Sequence, residues 1–162
     1  MERIKVTSQK QLDEIPSDFD GVISICFGTP DDRAIVKTYY ENANIVSCGD
    51  SCVVVFDYNH VIAKDSSTVI AMDNVTVSAR HSSHVEAHDN SSIRASDYST
   101  IVSRNSSSVE VHGHSVVDAR DRSEINICNR DGFAIARDNS EVFALPGSNV
   151  TVLGNASVTF ID

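Results

Sequence analysis

Asp57-Tyr-Asn-His-Val-Ile-Ala-Lys64, Asp65-Ser-Ser-Thr-Val-Ile-Ala-Met72 and Asp73-Asn-Val-Thr-Val-Ser-Ala-Arg80 are three successive statements of one eight-residue phrase. The phrase continues through His81–His88, Asp89–Ser96 and Asn105–His112, and about fifteen copies fit between Glu41 and Ile161. One slip of a single residue falls within Asn129–Arg137. A short fixed period over most of a chain marks a solenoid, in which each unit buries its apolar side only by stacking on the next.

Within the phrase the periodicity is two. The fifth position is Val or Ile (Val53, Val61, Val69, Val77, Val85, Ile93, Ile101, Val109, Val117, Ile125), and the seventh is small or aliphatic (Ala63, Ala71, Ala79, Ala87, Ala95, Ser103, Val111, Ala119, Ile127). Side chains two apart on a strand share a face, so this alternation predicts a half-buried strand of four or five residues. Each phrase opens with Asp, Asn or Gly and then Ser or Asn, residues that favour turns because they bond nearby backbone or accept unusual dihedrals. Strand and corner, repeated without hairpin signals, predict an all-β fold: a single-stranded parallel β-helix with the fifth and seventh columns inside.

Two phrases per coil give a flattened helix of 16 residues a turn, and three give a triangular prism of 24. Basic residues at the eighth position recur at 16 in Lys64/Arg80 and Arg104/Arg120, and reach Arg137 across the slip, whereas 24 yields only Arg80/Arg104. Ala in the seventh column also suits a thin core between two closely facing sheets. The shorter coil is therefore favoured, with seven to eight coils in a rod roughly 35–40 Å long.

Residues 1–40 stand outside the repeat and predict an N-terminal α/β cap on the 41–162 solenoid. Ile4-Lys-Val reads as a short strand, Thr7 or Ser8 as the cap of a helix over Gln9–Ile15, and Gly21–Phe27 as a second strand. Thr29-Pro-Asp-Asp reads as a turn into Arg33–Tyr40. A solenoid end exposes core and unpaired strand edges, so an atypical terminal unit is expected there. The C-terminal phrases instead carry Phe143, Leu145, Leu153, Phe160 and Ile161 with no helix after them. They are candidate interface residues of a homodimer joined through its last coils.

Lys5-Val-Thr-Ser-Gln-Lys-Gln-Leu-Asp-Glu-Ile-Pro16, followed by Asp-x-Ser-x-Val-x-Ala phrases, resembles the octapeptide-repeat proteins of bacterial prophages and other mobile elements. The resemblance covers nearly the whole chain. It implies an accessory, phage-type β-solenoid and carries over no catalytic residue. A looser, architectural likeness is to the bactofilins, whose β-helices polymerise end to end.

At 162 residues the chain is one domain by size, and its net charge of −10 argues against generic binding to nucleic acid or an anionic membrane. No apolar run approaches a membrane span, and Met1-Glu-Arg-Ile-Lys-Val lacks the apolar core of a signal peptide. Cys26, Cys48, Cys52 and Cys128 are then expected as free thiols in a cytoplasmic protein.

Chemistry must be sought on the outer columns. His84 and His88 share a face, but four residues along a strand are roughly 13 Å apart, too far to hold one metal. His112 and Cys128 stack on adjacent coils, and Cys48 and Cys52 straddle a corner; each pair offers half of a metal site, and no further ligand is identified. The Asp column (Asp57, Asp65, Asp73, Asp89, Asp97, Asp121, Asp138) lacks the glycine-rich nonapeptide pattern of calcium-binding β-helices and reads as corner-shaping. No inserted loop, nucleophile–base set or phosphate-cradling loop is present, so no enzyme, cofactor or metal is expected.

Two kinds of function remain. One is a rigid acidic binding module, or an inhibitor that occupies a host protein, of which a nucleic-acid mimic is the specific version. The alternative is a self-assembling structural protein of bactofilin type. Arg104, Arg120 and Arg137 form the candidate partner-binding stripe, with Asp118 placed to offset Arg120 two residues away.

Overall fold

A computed structural model describes residues 1–161, which fold into eighteen strands and one short helix. Strands β1 (Glu2–Val6), β2 (Gly21–Ile25), β3 (Ala34–Val36), β4 (Ala43–Ser47) and β5 (Cys52–Val55) lead into a series of four-residue strands. That series runs to β17 (Asn149–Val152) and β18 (Ser157–Phe160), with a corner of four or five residues between successive strands. Consecutive strands alternate between two parallel sheets. Sheet A holds ten strands, β1, β2 and then the even-numbered ones, and sheet B holds the eight odd-numbered strands from β3 to β17. The molecule is a β-solenoid of about 10 turns with about 16 residues per turn. At the spacing of paired strands that makes a rod roughly 45 Å long.

The register is the one the basic ladder predicts. Ile93 pairs with Val77 and Val109 in sheet A, and Ile101 with Val85 and Val117 in sheet B, each 16 residues away. Past the slip the separation is 17, as in Val117↔Ala134, and later pairs return to 16, as in Ala134↔Val150. The extra residue is absorbed in the corner between Ile127 and Phe133. There Gly132 fills the place where other phrases have Ser, because a Cβ would lie 2.7 Å from a methyl of Val111.

Fifth- and seventh-position side chains form the core, with Val85 and Val109 at 0% and 2% exposure. A third inward column joins them. Ser51, Ser67, Ser83, Ser91, Ser99, Ser107, Ser115, Ser123 and Ser140 are all buried, with Asn59 and Val75 in the same column. Several of these hydroxyls close the corner on itself: Ser107 Oγ donates to the Arg104 carbonyl at 2.7 Å, and Ser115 Oγ to that of His112 at 2.7 Å. A side chain this small, with an acceptor three residues back, satisfies its own hydroxyl within the tight corner.

Asp57, Asp65, Asp73, His81, Asp89, Asp97, Asn105, Asp121 and Asp138 hold the left-handed conformation that starts each corner, with φ between 55° and 63°. The carboxylates of Asp65, Asp73, Asp89, Asp97, Asp121 and Asp138 also accept a backbone N–H from the coil before. The Asp97 carboxylate accepts the His81 N–H at 2.9 Å, and that of Asp121 accepts the Asn105 N–H at 2.9 Å. Asp and Asn suit this position because a short polar side chain offsets the cost of the left-handed backbone.

The sheets begin before residue 41. β1 and β2 start sheet A and β3 starts sheet B, so residues 1–40 supply the first strands of the rod as well as its lid. Helix α1 (Gln9–Asp13), shorter than the predicted Gln9–Ile15, is capped by Ser8, whose side chain accepts the Gln11 N–H. Leu12, Ile15 and Phe19 are buried against the first coil. Tyr40, 1% exposed, ties lid to rod: its N–H donates to Asn59 Oδ1 at 3.0 Å and its hydroxyl to the Leu12 carbonyl at 3.4 Å.

Candidate functional site

The outer surface of sheet B is flat because each strand offers only its fourth, sixth and eighth positions outward. Three neighbouring strands, β11 (Thr100–Ser103), β13 (Val116–Ala119) and β15 (Phe133–Ala136), carry the predicted basic stripe. Their nine outward positions are Thr100, Val102 and Arg104; Val116, Asp118 and Arg120; Phe133, Ile135 and Arg137. Four are apolar, three are arginines and one is an acid, so three cations face one anion on a chain whose net charge is −10.

The register brings Arg104, Arg120 and Arg137 into one column, as expected. It also makes Asp118 the hub of that column. Arg120 donates to one Asp118 carboxylate oxygen from Nε (3.0 Å) and Nη2 (2.6 Å), and Arg137 reaches the other oxygen from the next coil with Nε at 2.7 Å. Partial burial pushes the Asp118 carboxyl up, but the hydrogen bonds and charges of Arg120 and Arg137 outweigh it and hold its pKa below the usual range. Arg120 shifts upward for the reciprocal reason, the Asp118 hydrogen bond first, with Asp138 and Asp121 at the adjoining corner adding to it. Arg104 has no such share. Its Nε is buried without a hydrogen-bond partner among the described residues.

Toward the N-terminus the same face continues as Glu86 between His84 and His88, with nitrogen–oxygen distances of 3.9 and 3.8 Å, and then as Ile70, Met72 and Val54. His84 stands between Thr68 and Thr100 on neighbouring coils, so no histidine ladder forms. The central strands of sheet A present a different surface, with Thr76, Ser78, Ser92, Arg94, Ser108, Glu110 and Asn126 outward.

The C-terminal candidates divide. Phe143 and Leu145 lie on the outside of sheet A and are half-buried, and Leu153 follows β17 on the outside of sheet B at 43% exposure. Phe160 is different: it pairs with Ala144 in the inward seventh column, yet it is 59% exposed because no coil packs over it among the described residues. Val152 on the facing strand shares that situation at 46%, and Ile161 is 41% exposed.

The two metal half-sites do not grow. His112 and Cys128 are indeed coil neighbours, but His112 Nε2 sits 3.6 Å from Glu110, and the Cys128 thiol contacts the Asn126 carbonyl at 3.8 Å. Cys52 is buried at 3% exposure, and Cys48 turns away from it toward Cys26, with the sulfurs 2.6 Å apart. Among the described residues no group of three His, Cys, Asp or Glu side chains is arranged to hold a metal ion. Asp118 bridging Arg120 to Arg137 is the main contact that spacing alone did not disclose, since it spans 19 residues and depends on both coil length and slip. No family model, curated protein or solved structure matches the chain, so the face of sheet B must be interpreted from its own residues.

Proposed function

We propose that the protein is a rigid, non-enzymatic binding module that docks an acidic partner protein on the outer face of sheet B. The observation that carries this reading is the composition of that face: Val102, Val116, Phe133 and Ile135 interleaved with Arg104, Arg120 and Arg137. Aromatic and arginine side chains set among apolar ones are the mix enriched at protein interfaces. Three guanidiniums against one carboxylate favour an acidic partner surface, and Arg104 is the one of the three that takes no share of Asp118. A standard interface covers about 800 Å2 per partner, more than three strands supply, so the contact extends along the face to Ile70 and Met72. From β4 to β18 the corners beside this face are four to five residues long and add no inserted loop to it, which supports a binder over an enzyme. Together with the resemblance to mobile-element solenoids, this makes a phage-type accessory protein that occupies a host protein the reading we adopt. Affinity capture from a bacterial lysate should be run with the wild type, Arg104→Glu/Phe133→Ser on sheet B, and Arg94→Glu on sheet A. A protein retained by the wild type and the sheet A variant and lost from the sheet B variant supports the assignment. Equal retention by all three overturns it.

A second reading, self-assembly through the C-terminal coils, is favoured by Phe160 and Val152, inward residues that stand open to solvent. Two-fold contact between such ends would bury both core surfaces and pair the open edges without growing a fibre. Each buried Phe or Leu is worth roughly 1.5–3 kcal/mol, enough for a few to support a dimer. A monomer mass by light scattering at micromolar concentration removes this reading.

A further inference from the structure

We propose that Cys26 and Cys48 form a reversible disulfide that clasps the first two coils of the rod, making this pair a thiol-oxidation site. Cys26 follows β2 and Cys48 follows β4, and the paired registers Ile25↔Ser47 set the two cysteines directly above one another. The Cys48 N–H donates to the Ile25 carbonyl at 3.2 Å, which holds the backbones together at this step. Paired strands lie about 4.8 Å apart, within the Cα separation of roughly 4.4–6.8 Å that a disulfide accepts. The sulfurs already point at each other, 2.6 Å apart.

Access and competition favour the same pair. Both cysteines are only partly buried and line an open cavity of about 490 Å3 with Phe27, Gly28, Lys64 and Asp65. Cys52 is buried. Cys128 is exposed but lies five coils further along the column, roughly 24 Å from Cys48.

A peroxide is a sufficient oxidant. The Cys26 thiolate attacks one peroxide oxygen and cleaves the O–O bond, giving a Cys26 sulfenic acid and hydroxide. Cys48 sulfur then attacks the Cys26 sulfur, and its proton leaves with the sulfenic hydroxyl as water. Over both steps the two thiols lose two electrons and two protons, and hydrogen peroxide becomes two waters. Burial first, and then its hydrogen bond with Cys26, push the Cys48 thiol up to about 11, and the two steps balance in the same way whichever of the two sulfurs attacks the peroxide. The bridge would tie β2 to β4 across the intervening loop and β3, restricting the chain most where the rod begins.

The test uses the full chain. The reduced protein is treated with hydrogen peroxide, remaining thiols are alkylated, and the peptides are mapped with and without dithiothreitol. A dithiothreitol-sensitive link between Cys26 and Cys48 within one molecule, with Cys52 and Cys128 still alkylated, is expected. Melting of the oxidised form should rise by several degrees, and Cys26→Ser should lose that rise. The wild-type map decides the matter even if the variant fails to fold. Alkylation of all four thiols at peroxide levels that oxidise glutathione, or a link through Cys128, overturns the proposal.

Discussion

The side-chain amide of Gln9 pairs with the backbone of Ile35 as a neighbouring strand would. Its Nε2 donates to the Ile35 carbonyl at 2.8 Å, and the Ile35 N–H donates to its Oε1 at 2.9 Å. Ile35 sits in β3, the first strand of sheet B, whose outer edge would otherwise present unpaired donors and acceptors. Gln9→Ala should therefore cost about 1–2 kcal/mol through the two half-buried groups left behind. Gln9→Glu keeps the acceptor but sets a carboxylate oxygen against the Ile35 carbonyl and the Asp13 carboxylate, so chemical denaturation should show it at least as destabilised as Ala.

The buried serines should differ sharply. Ser107 Oγ bonds the Arg104 carbonyl, and Ser103 Oγ lies 2.7 Å from it, whereas Ser83 Oγ has no partner among the described residues. Ser107→Ala is expected to lose about 1 kcal/mol. Ser83→Ala should be neutral or stabilising, because it removes an unsatisfied buried hydroxyl. Equal losses in urea melts would contradict this distinction.

At the corners, side-chain chemistry and backbone conformation can be separated. Asp121 has φ of 58° and accepts the Asn105 N–H. Asp121→Gly relieves the backbone as it loses the hydrogen bond, so the net change should stay within about 1 kcal/mol. Asp121→Val suffers both losses and should cost more than about 2 kcal/mol. Matching melting curves for the two variants would remove the left-handed backbone from the account.

The arginine column predicts an acid-sensitive stability term. The folded Asp118 carboxyl titrates below its unfolded value, so its contribution is present above the unfolded pKa and is lost as pH falls through the folded pKa. Its side chain is 20% exposed and its arginine partners 36% and 39%, so screening limits the two pairs to about 1 kcal/mol together. Asp118→Asn should lower stability by that amount at neutral pH and by nothing once the pH is below the folded pKa. A constant difference across the acid range would disprove the linkage.

A charge in the core tests the register itself. Val85→Asp or Val109→Asp places a carboxylate between the sheets with no cation beside it, and several kcal/mol of loss should abolish folding. Soluble variants with wild-type melting would disprove the assigned columns.

Most of the fold is legible in the sequence because β-branched residues alternate with polar ones and basic residues recur every 16. The inward third column is not, since Ser at a corner has the same signature whether it faces solvent or core. Only the tightness of the turn, which returns Ser107 Oγ to Arg104, decides its burial. The start of the rod is hidden for a different reason: β2 pairs with β4 at a separation of 22, outside the repeat's own period, so Cys26 and Cys48 give no sign of adjacency. The stripe at Arg104, Arg120 and Arg137 is visible because it obeys the period. Its neutralisation from the neighbouring coil at Arg137 becomes visible only when the slip is placed in a corner.

Because one phrase is half a coil, this rod distinguishes odd from even insertions. Duplicating two phrases would lengthen it by one strand spacing, about 4.8 Å, and leave every later side chain on its original sheet. Duplicating a single phrase would exchange the faces of everything downstream, moving Arg104, Arg120 and Arg137 to the opposite surface. Length can therefore change in whole-turn steps like a ruler, while a half-turn step rewrites which side of the molecule carries which residues. The additional residue between Ile127 and Phe133 is harmless by the same logic: it swells a corner and changes neither sheet nor side.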